Sequence, residues 1–212
     1  MELNVIQKIA VYALPVIFAI TVHEAAHGYA AKYFGDLTAE RLGRISLNPL
    51  KHIDPFGTIL LPALTIMVGG VLFGWAKPVP VNFNNLRNPK KDMFWVAAAG
   101  PASNLVMAIL WAMLLSYSQH APQGAADFLA AMSLGGISIN LVLMVLNLLP
   151  MPPLDGGRIA VSLLPNHLAM PLARVEQYGF AILIALMFTG VLSKIISPII
   201  NFFEQVILRI FL

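Results

Sequence analysis

Residues 21–31 read Thr21-Val22-His23-Glu24-Ala25-Ala26-His27-Gly28-Tyr29-Ala30-Ala31, and they follow without interruption an apolar run that begins at Val5. After Pro15 this stretch contains no proline, so a single helix of about 30 residues is expected. A polar motif then falls inside a bilayer or just below its surface. The composition agrees. Of 212 residues, 58% are hydrophobic and 11% charged, against about 45–50% and about 25% in soluble domains. A water-soluble fold is excluded and a polytopic membrane protein is expected.

The rest of the chain divides on the same principle. Apolar stretches near the roughly 20 residues that cross about 30 Å of hydrocarbon set spans at about 4–31, 93–118, 129–149 and 178–193. A fifth stretch, 56–75, carries Pro62, Gly69, Gly70 and Gly74, which suit an interrupted, re-entrant segment. At the C-terminus, Asn201, Glu204, Gln205 and Arg209 share one face and Phe202, Phe203, Val206, Ile207, Ile210 and Phe211 the other. This is the pattern of an interfacial helix over about 199–212. The expected fold is all-α: about four transmembrane helices, the re-entrant segment and short extended loops at the membrane, in one domain spanning 1–212. The first 22 residues lack a basic segment ahead of the apolar run and a small-residue cleavage site after it, so this stretch is expected to be retained.

Thirteen Lys and Arg against ten Asp and Glu give a net charge of +3, with the basic residues in short loops. Nucleic acid is therefore excluded as a partner. With no cysteine in the chain, any metal must be held by histidine and carboxylate. His23 and His27 are four apart on a helix, a rotation of about 400°, so both imidazoles leave one face about one turn apart, as two ligands of one zinc require. Glu24 sits about 100° round, within reach of a zinc-bound water. Three ionisable residues beside a membrane-buried run are costly and mark function.

A catalytic zinc takes three protein ligands and keeps one position open. His52, His120 and His167 lie in connectors and read as surface or interfacial histidines. Asp155 differs, because it ends Asn147-Leu-Leu-Pro-Met-Pro-Pro-Leu-Asp155-Gly156-Gly157, where three prolines and two glycines force the helix to unwind at membrane depth. Backbone of this kind is tolerated there only against protein or a water-filled cavity. Asp155 can also serve as the N-cap of a helix beginning near Arg158, and the two roles are compatible.

His23-Glu24-x-x-His27 at the end of the first hydrophobic segment, Gly100-Pro101-Ala-Ser-Asn104 opening a later one, and Asn147 to Gly156 closing another resemble the site-2 protease family of intramembrane zinc metalloproteases. The resemblance covers nearly the whole chain. It implies one zinc per chain bound by His23, His27 and Asp155, Glu24 as catalytic acid and base, Asn147 in the substrate or oxyanion region, and transmembrane proteins as substrates. The loop at 119–128 is too short for the PDZ or other regulatory domain that some members carry, so the compact group of the family is expected. A relative without proteolysis, binding zinc or holding helices, is the alternative; Glu24 argues against it.

Topology follows from the ligands. The first span and the 129–149 span must run parallel to bring their C-terminal ends to one metal, which leaves 93–118 antiparallel between them and 56–75 re-entrant. Lys32, Arg41, Arg44 and Lys51 precede the re-entrant segment and Lys77, Arg87, Lys90 and Lys91 follow it, so both flanks are expected in the cytoplasm at the cell membrane. Ser133, Asn140 and Asn147 recur every seven residues as a polar seam. Gly100, Asn104, Ala108 and Ala112 form a small-residue stripe. Asn147 reads as an oxyanion or substrate contact, while Asn104 fits either the site or helix packing. Ala76-Lys-Pro-Val-Pro-Val-Asn82, with alternate prolines, is expected to be extended. It reads either as a linker or, with residues 44–48, as a wall that aligns unwound substrate by strand addition.

Overall fold

The structure, a computed structural model, describes residues 5–60 and 76–212. Among these the chain is helical and forms no strand: α1 (Val5–Tyr33), a single turn α2 (Thr38–Arg41), α3 (Pro89–Ser118), α4 (Gln123–Asn147), α5 (Asp155–Leu163), α6 (Asn166–Arg174), α7 (Glu176–Phe188) and α8 (Val191–Phe211). In hydrocarbon every backbone N–H must find a partner within its own segment, and a helix is the local way to do that. Three described helices, Pro89–Ser118, Gly124–Asn147 and Val191–Phe211, are long and apolar enough to cross a membrane, and the bent pair α6–α7 can supply a fourth. The protein is a polytopic, all-α membrane protein.

The directions of the central helices follow from three contacts. Asn104 meets the Ala19 carbonyl, His27 meets the Val96 carbonyl, and Arg87 N–H donates to Phe34 O, so residue numbers rise on α1 as they fall along α3. Asn104 also meets Asn140, and Trp111 lies over Gly136, so α3 and α4 are antiparallel in turn. Helices α1 and α4 are therefore parallel, the relation a shared metal requires. The stripe on α3 makes close approach possible: Gly100, Asn104, Ala108 and Ala112 are all buried. Ala108 and Ala112 pack with Val11, Trp111, Leu115, Ile137, Leu141 and Met144 at the centre of the bundle. Burial from water does not drive this association, since lipid is as apolar as leucine; close packing and interhelical hydrogen bonds do.

The C-terminal third departs from the sequence reading. The helix expected to span 178–193 is α7, which makes a 62° bend with α6 and ends before Gly190, whose φ of 71° a side chain would oppose. From there α8 runs unbroken to Phe211, where a separate interfacial helix from 199 was expected. Its Ile196, Ile200, Phe203, Ile207 and Phe211 pack on the central cluster, while Phe202 and Ile210 face outward. Packing against α4 thus takes one side of a helix whose pattern also suits a membrane surface. The expected re-entrant segment lies mostly outside the described residues. Its first turn, Pro55–Leu60, is a π-helical turn started by Asp54, which accepts from Phe56 N and Gly57 N.

Candidate metal centre

Three elements converge at one point. Helix α1 carries His23 and His27 on one face, and Asp155 is the first residue of α5, directly after the proline-rich turn. The N-cap is Leu154, so Asp155 does not cap α5 and its carboxylate turns toward the histidines. His23 Nε2 and His27 Nε2 lie 3.0 Å apart, and each is 3.2 Å from Asp155 Oδ2. Zinc bonds of about 2.0–2.1 Å at tetrahedral angles put neighbouring donors about 3.3 Å apart. The triangle has those edges. Asp155 Oδ2 is buried and has no hydrogen-bond partner, and the three residues are the only such cluster among the described ones. An orphaned carboxylate oxygen facing two imidazole nitrogens is costly without a cation, so the residues fit zinc.

The surroundings hold the ligands in place. His27 Nδ1 is 2.7 Å from Val96 O; a carbonyl only accepts, so Nδ1 carries the proton and Nε2 keeps its lone pair for a metal. His23 Nδ1 lies 2.6 Å from Asn104 Oδ1. Gly100 leaves the space the imidazoles occupy, since a Cβ there would stand 2.4 Å from His27 Nε2 and 2.6 Å from His23 Nε2. Behind Asp155 the turn is equally tight: a Cβ on Gly157 would meet Pro152 N at 2.1 Å.

A cleft of about 520 Å³ opens beside the cluster. Val79, Val81, Phe83, Ala97, Pro153 and Phe180 give it apolar walls, and Glu24, Asn147 and Arg158 also face it. Arg158 stacks 5.3 Å over the Phe83 ring and lies 4.0 Å from Glu176. The 76–82 segment is neither helix nor strand, reaches extended geometry at Asn82, and is held at several points. Lys77 N–H donates to His52 O, Arg44 donates to Lys77 O and Pro78 O, and Asn82 N–H donates to Asp36 Oδ2. Between these, Val79 N–H donates to Glu24 Oε2 at 2.7 Å. Asp36 is fully buried and also receives Thr38 N–H, the Thr38 hydroxyl and Asn85. Burial alone would push its pKa up, but these donors outweigh it and hold the carboxyl below the usual range.

The sequence-derived residues are distributed unequally. His23, His27 and Asp155 come together, with Glu24 beside them on the cleft. Asn147 is half-buried at the cleft, one amide N–H bonded to Leu143 O at 3.0 Å. Asn104, read as either a site or a packing residue, is fully buried behind His23 and off the cleft lining. His120 and His167 are exposed as expected. His52 is instead buried, with Nε2 donating to Ser46 O at 2.8 Å, and serves the 46–52 loop. Sequence reasoning missed the Val79 N–H and the Val96 carbonyl, because any residue type supplies a backbone group.

A buried His-His-Asp cluster among membrane helices, with a carboxylate next to it, is a candidate metal site of the kind membrane metalloproteases carry. The chain belongs to peptidase family M50, the site-2 proteases, whose profile matches residues 11–133 and 118–190. It is 42% identical over 205 residues to "Putative zinc metalloprotease YwhC" of Bacillus subtilis, covering 93% of this chain and 89% of that one. It is also 35% identical over 180 residues to "Putative zinc metalloprotease Rip2" of Mycolicibacterium smegmatis, covering 84% of this chain and 66% of the relative. No solved structure matches.

Proposed function

We propose that the protein is an intramembrane zinc endopeptidase that hydrolyses peptide bonds within or near transmembrane segments of other membrane proteins, in regulated intramembrane proteolysis. The observation that carries this reading is the convergence of His23 Nε2, His27 Nε2 and Asp155 Oδ2 at 3.0–3.2 Å beside Glu24 and an apolar cleft. Zinc, one ion per chain, supplies Lewis acidity toward the scissile carbonyl and lowers the pKa of water toward about 7.

The chain's own residues do the rest. His23, His27 and Asp155 would hold the ion through two neutral imidazoles and one carboxylate, leaving it net positive. Glu24 takes a proton from the attacking water on a carboxylate oxygen and later passes it to the leaving amine; the Val79 N–H on Oε2 orients that carboxylate. Among the described residues Asn147 makes one amide N–H bond, to Leu143 O, and its second amide hydrogen would donate to the developing oxyanion. Substrate must unwind first, because a helical peptide bond has its carbonyl engaged and its flanks covered. The 76–82 segment supports an edge along which such a strand aligns. Exposed Lys51, Lys77, Arg87, Lys90 and Lys91 support a site toward the cytoplasmic side of the cell membrane.

The test compares membrane peptides from cells carrying the parent or Glu24→Gln, together with cleavage of a reconstituted transmembrane peptide by each zinc-loaded protein. Uncut membrane proteins should accumulate with Glu24→Gln, and the reconstituted cleavage should disappear. Equal cleavage by both proteins would leave a zinc-binding protein without this mechanism.

A further inference from the structure

Behind His23, a chain of side-chain amides crosses three helices, and its polarity can be read from one fixed point. Gly136 O is a backbone carbonyl and only accepts, so the Asn140 atom 2.8 Å away is its NH2 group. Asn140 Oδ1 therefore faces Asn104 and accepts from Asn104 Nδ2 at 2.9 Å. Ala19 O, 3.3 Å from the same Nδ2, imposes the same orientation independently. Turning the Asn104 amide over would bring its oxygen against two acceptors in a site with no exposure. Asn104 Oδ1 is thus committed to His23 Nδ1 at 2.6 Å, where only an N–H can face it. The proton of His23 is held on Nδ1, and Nε2 is left with a lone pair beside Asp155.

We propose that Asn104 is a positioning residue for the metal ligand His23, acting as the third member of a Gly136–Asn140–Asn104–His23 relay that selects the metal-binding tautomer and ring orientation. The inference rests on the zinc reading above. It also separates the two histidines. A backbone carbonyl that no substitution removes serves His27, whereas His23 depends on two particular side chains from α3 and α4. Asn140, read from sequence as interhelical glue, then acts on the metal from a further helix.

The test measures zinc affinity by chelator competition and the visible spectrum of the cobalt-substituted protein in detergent, both independent of activity. Asn104→Leu should weaken zinc about 10–100-fold, the cost of losing an outer-shell partner, and alter the cobalt spectrum. Asn104→Asp keeps an oxygen for His23 but loses the N–H that Asn140 Oδ1 and Ala19 O accept, so its zinc affinity should fall between those of the parent and Asn104→Leu; a role in packing alone predicts Asn104→Leu to stay nearer the parent. Asn140→Leu should shift both readouts in the same direction by less, and it decides the matter where Asn104→Leu does not fold. In a His23→Ala background, Asn104→Leu should cost nothing further. Parent-like affinity and spectrum in Asn140→Leu and Asn104→Leu, or an undiminished loss in the His23→Ala background, would overturn the relay. A parent that takes up no zinc overturns the metal reading itself, whereas zinc that depends on His23 but on neither asparagine overturns only this proposal.

Discussion

At the centre of the site, three ligand atoms of two chemical kinds divide the work in a way substitutions can separate. In the proposed zinc site Asp155 would contribute both a donor and the charge that partly neutralises the ion, while Glu24 contributes no atom to the 3.0–3.2 Å triangle. Asp155→Ala should therefore lower zinc content below one per chain, and Glu24→Gln should keep it while abolishing cleavage; metal analysis of purified protein checks both. Full zinc in Asp155→Ala would remove it from the ligand set. Asn147 raises a different question, because its amide faces the cleft while also bonding Leu143 O. As an oxyanion donor, its replacement by Leu should lower turnover about 10²–10³-fold with zinc retained. As helix glue the same change should cost only about 0.6–2 kcal/mol of stability. Turnover per zinc-loaded, folded molecule distinguishes the two.

Among the elements, the 76–82 segment owes its position to partners outside itself. Pro78 and Pro80 have no N–H, so the segment depends on Arg44, Glu24, His52 and Asp36 to fix it. Asp36 is the anchor at its far end, where one buried carboxylate joins the turn after α1 to Asn82 and Asn85. Asp36→Asn should destabilise the folded protein by about 1–3 kcal/mol at neutral pH and loosen the cleft wall. The sign of the pH dependence follows from the lowered pKa. A depressed carboxyl stabilises above its unfolded value of about 3.9 and loses that contribution as pH falls through the folded value. The stability gap between parent and Asp36→Asn should hold from neutral pH to about 5 and close below about 4, as thermal unfolding in detergent across that range would show.

For the molecule as a whole, the antiparallel α1–α3 and α3–α4 contacts put the ends carrying His27 and Asn147 on one side of the bundle. Single cysteines are clean reporters in a chain that has none. Lys51→Cys and Arg87→Cys should label from the cytoplasm alone, and Gln119→Cys, between α3 and α4, from outside alone. Labelling of 51 and 87 from opposite faces would make 56–75 a full span and break the parallel relation of α1 and α4. The residues of the His23, His27 and Asp155 cluster, the parallel relation of α1 and α4 and the small-residue stripe on α3 were legible beforehand. Each rests on a local rule: two histidines one turn apart, prolines that must unwind a helix, or small residues at four-residue spacing where helices come close. Three features were settled only by tertiary structure. Asn104 reads equally as site or packing residue until the Ala19 and Asn140 contacts orient its amide toward His23. The C-terminal pattern does not fix where its helix begins or which side meets the bundle, and the structure runs α8 unbroken from Val191 with Ile196, Ile200, Phe203, Ile207 and Phe211 on the central cluster. The partners of Glu24 and His27 are backbone groups, identical at every residue type, so only the folded path of the chain could bring Val79 and Val96 to them.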